Sequence, residues 1–170
     1  MDKKKAEVLK RAIKMEKEGK KFYLQSAGKA KSRLAKQLFQ QLAREEDKHA
    51  QRIEEVYKNL LTEGSLGQWV TGVNEPSRLE KVFRTSLVKK AVVQDSEIKA
   101  LNFALGLEDK SVKLYEGLAQ KTRELPEKRF YLTLSQEERG HYLKIMDSIE
   151  YLTDPEEWNR MKGGANVDGG

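Results

Sequence analysis

Two stretches of this chain carry the same three polar residues in the same order and at the same spacing. Glu16 is followed by Glu46 and His49, and Glu108 by Glu138 and His141. Each member of the second set stands 92 positions after its counterpart (108 − 16, 138 − 46, 141 − 49). The chain has only two histidines, and both are in the pattern. The repeat extends to apolar positions: Leu9 with Leu101, Ala12 with Ala104, Tyr23 with Tyr115, Ala27 with Ala119, Leu42 with Leu134 and Ile53 with Ile145. Glu45 and Glu137 are a further matched pair. Two halves patterned alike predict two supersecondary units of one design.

The periodicity is helical. Leu9, Ile13, Glu16, Gly19, Tyr23 and Ala27 recur at steps of three and four and share one face of a helix over about 2–30, with Asp2 as its N-cap. A second helix, about 32–61, aligns Leu38, Leu42, Glu46, His49, Ile53, Val56 and Leu60. A third, about 96–121, aligns Leu101, Leu105, Glu108, Ser111, Tyr115 and Ala119. Pro126 suits the first turn of a fourth, about 126–151, which aligns Phe130, Leu134, Glu138, His141, Ile145 and Ile149. The stretch 62–95 breaks the pattern with turn chemistry at Glu63–Gly67 and Asn74–Ser77, leaving room for one short helix over 78–92. Thr153-Asp154-Pro155 opens a short terminal helix holding Trp158, and the Gly-rich 163–170 reads as a flexible tail. Both tryptophans, Trp69 and Trp158, are expected to pack.

The predicted fold is therefore all-α: a four-helix bundle over 1–162, made of two helical hairpins joined by a long crossover, with a short C-terminal helix. A helix of ~26 residues is ~39 Å long, and the crossover is long enough to return along it. That arrangement is ferritin-like.

Composition agrees. Hydrophobic residues make up 38% and charged residues 35%, which suits amphipathic helices with one buried stripe each. No apolar run approaches the roughly 20 residues needed to cross a membrane. The charged run Met1–Glu7 leads into no apolar segment, so no secretory leader is expected. Cysteine is absent, which excludes disulfides, thiolate metal sites and cysteine nucleophiles and makes a cytoplasmic location the expectation. The net charge of +6 is spread among interleaved lysines and glutamates, as on solvated helix faces, and nucleic acid is not expected as a partner.

Carboxylates at inward positions need a partner, because a buried charge without one is costly. Glutamate and histidine three apart project from the same side of a helix, so Glu46 and His49 reach one point, as do Glu138 and His141. Glu16 and Glu108 arrive from the other helices. The four carboxylates carry four negative charges, which two divalent cations balance while the two imidazoles bind neutral. Oxygen and imidazole ligands suit iron, manganese or zinc. Glu45 and Glu137 also lie within reach of the histidines by spacing, but they stand one position off the apolar stripe and belong at its rim or behind the ligands, supporting them. Tyr23 and Tyr115, seven residues beyond Glu16 and Glu108, are open to two readings. Their hydroxyls orient glutamate ligands on opposing helices, or they are core tyrosines with satisfied hydroxyls.

At these residues the chain resembles the rubrerythrin branch of the ferritin-like di-iron proteins. The resemblance covers about 3–151 and rests on Glu16-x6-Tyr23, Glu45-Glu46-x-x-His49, Glu108-x6-Tyr115 and Glu137-Glu138-x-x-His141. It implies that Glu16, Glu46, His49, Glu108, Glu138 and His141 hold two iron ions, bridged by oxide or hydroxide when oxidised. Glu46 and Glu138 are implied as the pair shared between the metals. It also implies reduction of hydrogen peroxide or dioxygen, in oxidative-stress defence, by a homodimer. Two departures stand out. Proteins of that branch usually carry a four-cysteine rubredoxin domain, and this sequence has no cysteine. Electrons are then expected from ferrous iron or an external donor such as a separate rubredoxin or reductase. A seventh carboxylate, three residues after the third-helix glutamate, is replaced by Ser111, whose repeat mate is Gly19. The six-ligand set that remains is closer to bacterioferritin and ferritin ferroxidase centres. Two alternatives stand beside the oxidoreductase reading: a ferroxidase that stores iron, and a metal-free helical interaction protein.

Overall fold

The computed structural model describes residues 3–63 and 95–164. They form five helices: α1 Lys3–Lys29, α2 Arg33–Glu63, α3 Asp95–Lys121, α4 Leu125–Thr153 and α5 Pro155–Gly164. No strand occurs among the described residues. The predicted short helix at 78–92, its flanking turns and Trp69 lie outside them. So does the tail from 165 onward, while α5 runs to Gly164 and takes in the first residues assigned to that tail.

The architecture is a four-helix bundle of two hairpins, α1–α2 and α3–α4, with α5 packed on α4. Ion pairs fix the directions. Lys17 meets Glu54 at 2.5 Å and Lys20 meets Asp47 at 2.7 Å, so α1 and α2 are antiparallel. Tyr23 pairs with Glu108 and Tyr115 with Glu16, so α1 and α3 are antiparallel as well. It follows that α2 and α3 run parallel, and that Glu63 and Asp95 stand at opposite ends of the bundle.

Local chemistry sets the helix ends. Ser32 is the N-cap of α2, its Oγ accepting the Ala35 N–H at 3.4 Å. The buried Glu97 in the first turn of α3 accepts the backbone N–H groups of Lys31 (2.6 Å) and Ser32 (2.7 Å), tying the second hairpin to the turn of the first. The reverse tie joins Lys5 of α1 to the buried Glu127 in the first turn of α4, at 2.8 Å. Asp154 closes α4 and caps α5, its Oδ1 accepting the Glu157 N–H at 2.9 Å with Pro155 at the first helical position. Trp158 packs edge-on against Tyr151 and donates its indole N–H to Asp147 at 2.9 Å.

Two apolar layers form the core. One gathers Tyr23, Leu38, Phe39, Leu42, Leu101 and Ile145. The other gathers Leu9, Ile53, Tyr115, Phe130 and Leu134. Each layer draws on all four long helices, and the repeat mates Tyr23/Tyr115 and Leu42/Leu134 fall in opposite layers. The bundle therefore has an approximate twofold relation between its hairpins, with a polar layer held between the two apolar ones.

Candidate metal centre

The polar layer is built from the middles of the helices. Glu16 lies midway along α1, Glu46 and His49 midway along α2, Glu108 midway along α3, and Glu138 and His141 midway along α4. All six are buried, none more than 4% exposed, and Glu138 is fully enclosed. They make two groups of four in which one ligand atom from each residue lies within 4.8 Å of the others: Glu16, Glu46, His49, Glu138, and Glu46, Glu108, Glu138, His141. The groups share Glu46 and Glu138.

The histidines are oriented from outside the cluster. His49 Nε2 faces Glu137 Oε2 at 2.9 Å, and His141 Nε2 faces Glu45 Oε2 at 2.9 Å, each across the hairpin interface. With Nε2–H donated outward, Nδ1 of each ring turns inward. His49 Nδ1 lies 2.7 Å from Glu138 and 3.4 Å from Glu16. His141 Nδ1 lies 3.3 Å from Glu46, 3.4 Å from Glu138 and 3.5 Å from Glu108. The two rings stack with centroids 5.3 Å apart. Despite this closeness, Glu16 Oε2, Glu46 Oε1, both oxygens of Glu138 and both Nδ1 atoms are buried without a well-directed hydrogen bond. Buried polar atoms seldom stay unsatisfied. Six of them converging on one layer is what a cation coordinated at their centre requires.

The tyrosines reach the cluster from the opposing helix. Tyr115 donates its hydroxyl to Glu16 Oε1, and Tyr23 donates to Glu108 Oε1. Burial first, and then the facing carboxylates, push both phenols well above their ordinary range, so they remain proton donors. Burial pushes the Glu108 carboxyl up to about 7 against the pull of His141, and raises Glu46, which Glu138 raises further. Burial alone would lower both imidazoles. The surrounding carboxylates overcome it and hold them well above the usual histidine range. Burial would raise Glu138 too, but His49 and His141 hold it well below the ordinary carboxylate value.

Glu45 and Glu137 take the supporting one of their two expected places, and Arg52 and Lys144 gain a role that the sequence reading did not give them. Glu45 and Glu137 orient the histidines, and each is held by a cation: Glu137 by Arg52, Glu45 by Lys144 at 3.1 Å. His141 draws Glu45 down to about 2 against the opposing effect of burial. The signal was present in the repeat, since Arg52 and Lys144 are themselves 92 apart and each stands three residues after a histidine. At the position of the missing seventh carboxylate, Ser111 is buried and its Oγ lies 3.9 Å from Met15 Sδ. A Cβ on its repeat mate Gly19 would lie 3.2 Å from Glu46 Oε2, so glycine there leaves the shared carboxylate its space.

A family model described as Rubrerythrin matches residues 7–148. The chain belongs to the rubrerythrin family. No curated protein and no solved structure gives a significant match. Rubrerythrin membership implies iron binding and chemistry of the di-iron oxidoreductase type, and the buried carboxylate–histidine cluster is compatible with both. The match spans both hairpins and every residue of that cluster. Among the described residues no helix is long and apolar enough to cross a membrane.

Proposed function

We propose that this rubrerythrin-family chain is a non-haem di-iron oxidoreductase that reduces hydrogen peroxide or dioxygen. Glu16, Glu46, His49, Glu108, Glu138 and His141 hold the two ions, with Glu46 and Glu138 shared between them. The observation that carries this reading is the pair of overlapping buried ligand groups, built around polar atoms that no hydrogen bond satisfies. Manganese or zinc fits the same donors, and family membership favours iron. When bound, the metal pair supplies Lewis acidity and redox equivalents. The chain supplies the rest. Its four helices fix the ligands at one depth, its apolar layers exclude bulk water, and Tyr23 and Tyr115 hold their protons while bonding the terminal carboxylates. Glu45 and Glu137 keep each imidazole in the tautomer with Nδ1 directed inward.

Electrons come from ferrous iron or from an external donor, such as a separate rubredoxin or a reductase. The chain works as a homodimer, and exposed Leu125, Leu132 and Leu143, aligned along α4 at steps of seven and eleven, support that assembly. The testing experiment is anaerobic loading with Fe²⁺ followed by separate stopped-flow mixing with H₂O₂ and with O₂. Rapid oxidation by at least one oxidant, abolished in Glu46→Ala and Glu138→Ala, is expected. Oxidation no faster than that of free ferrous iron, or unchanged in those variants, would contradict the reading.

A further inference from the structure

The two halves of the centre match in ligand type and in the cross-hairpin bond to each histidine. They differ one step further out. Glu137, which orients His49, is gripped by both terminal nitrogens of Arg52, Nη1 donating to Oε1 at 3.1 Å and Nη2 to Oε2. Glu45, which orients His141, is held by the single ammonium of Lys144, at 3.1 and 3.4 Å from its two oxygens. Gln41, on the same helix as Glu45, adds a bond to Oε1 at 2.9 Å. The side chains of Arg52 and Glu137 are 17% and 7% exposed, those of Lys144 and Glu45 25% and 20%.

We infer that Arg52 and Lys144 are positioning residues that make the two metal positions unequal, so that the one bounded by Glu16 and His49 fills first. This rests on the two-metal reading above and adds an order to it. A guanidinium is a planar fork that fixes a carboxylate in two dimensions, whereas an ammonium on a four-carbon stem is a hydrated point charge that fixes none. Glu137 is thus clamped and shielded, and it holds the His49 ring close to its binding geometry before any cation arrives. Glu45 is wetter, and Gln41 and Lys144 hold it from two separate flexible stems rather than one planar fork, so His141 gives up more freedom on binding. Partners that orient a ligand histidine typically change metal affinity by about 10–100-fold when altered, which sets the scale of the difference.

The test uses the full chain, Zn²⁺ as a diamagnetic probe, and the side-chain ¹⁵N and ¹H signals of the two histidines, assigned with single His→Gln variants. In the parent, the first equivalent moves the His49 signals and the second those of His141, with affinities about tenfold or more apart. In the double variant Arg52→Lys/Lys144→Arg the order reverses. The inference is overturned if both rings respond together, if His141 responds first, or if the double variant keeps the parent order. A residue that only braces the helices would, as Arg52→Lys, lower the melting temperature without changing the order of filling, and that result also overturns it. If neither ring responds to two equivalents, the two-metal reading itself fails and this inference falls with it. Response without order removes the inference alone.

Discussion

Four of the six residues of the candidate centre, Glu16, Glu108, His49 and His141, have a neighbour outside the cluster that sets their geometry, and the effects of substitution should be read at those neighbours. Tyr115 holds Glu16 and Tyr23 holds Glu108 by one carboxylate oxygen each, leaving the other oxygen to face the cluster. Tyr115→Phe keeps the ring in its apolar layer and removes only the donor. It should weaken iron binding by about tenfold, as anaerobic competition with a coloured chelator will show, and cost the metal-free protein about 1–3 kcal/mol in urea unfolding for the Glu16 oxygen left unpaired. Glycines give a sharper contrast. Gly19→Ala puts a methyl 3.2 Å from Glu46 Oε2 and should weaken metal binding, whereas Gly106→Ala meets open space within its helix and should stabilise by roughly 0.5–1 kcal/mol in urea unfolding. The protonation pattern also has a sign. Burial lifts Glu46 and lifts Glu108 to about 7, and the carboxylates lift both imidazoles, so near neutral pH the metal-free cluster retains protons. A cation needs those groups deprotonated. Binding should therefore release protons and strengthen as pH rises through 7, which calorimetry in buffers of different ionisation enthalpy measures directly. At this scale the sequence made the six polar residues readable, because glutamate and histidine interrupt apolar stripes where their cost demands a purpose. It did not show that Glu45 and Glu137 turn inward to the histidines of the other hairpin, since that depends on how the hairpins face each other.

The helices owe their limits to a few polar contacts, two of which cross between hairpins. Glu97 accepts the N–H groups of Lys31 and Ser32 at the start of α2. Glu97→Ala should cost about 1–3 kcal/mol, the usual penalty for leaving buried donors unpaired, as read from the urea midpoint at unchanged slope. Neither Glu97 nor Glu127 stood out in the sequence. Each lies in the first turn of a helix, where a carboxylate is common and usually solvated, and only the packing of the other hairpin buries them. The four long helices were readable because each keeps its apolar period over many turns with no internal proline. Their ends were readable to within a few residues, set by Ser32, Pro126 and Asp154. At the end of α4 the stripe shifts. Ser148, Tyr151 and Leu152 are buried where Ile149, still packed against the core, is only partly covered, because α5 folds back there and covers a different face.

For the whole molecule, the 92-residue repeat is the governing fact. It gives two hairpins of one design, and antiparallel pairing of α1 with α3 and of α2 with α4 brings both half-sites to the same depth. The repeat could predict that symmetry, because matched ligands on two hairpins meet only if the hairpins face one another. It could not predict how the symmetry is broken, at Arg52 against Lys144 and Gly19 against Ser111, since those differences acquire meaning only through the atoms they touch. The cluster is a buried layer of four carboxylates and two imidazoles between two apolar layers, with its unsatisfied atoms turned toward its centre. The most direct measurement is the number of Fe²⁺ ions bound per chain under anaerobic equilibrium dialysis, in the parent and in Glu138→Ala, whose shared carboxylate belongs to both ligand groups. Two ions per parent chain, falling below one in the variant, are predicted. A parent that binds fewer than one, or a variant that binds as many as the parent, would contradict a di-iron centre at these six residues.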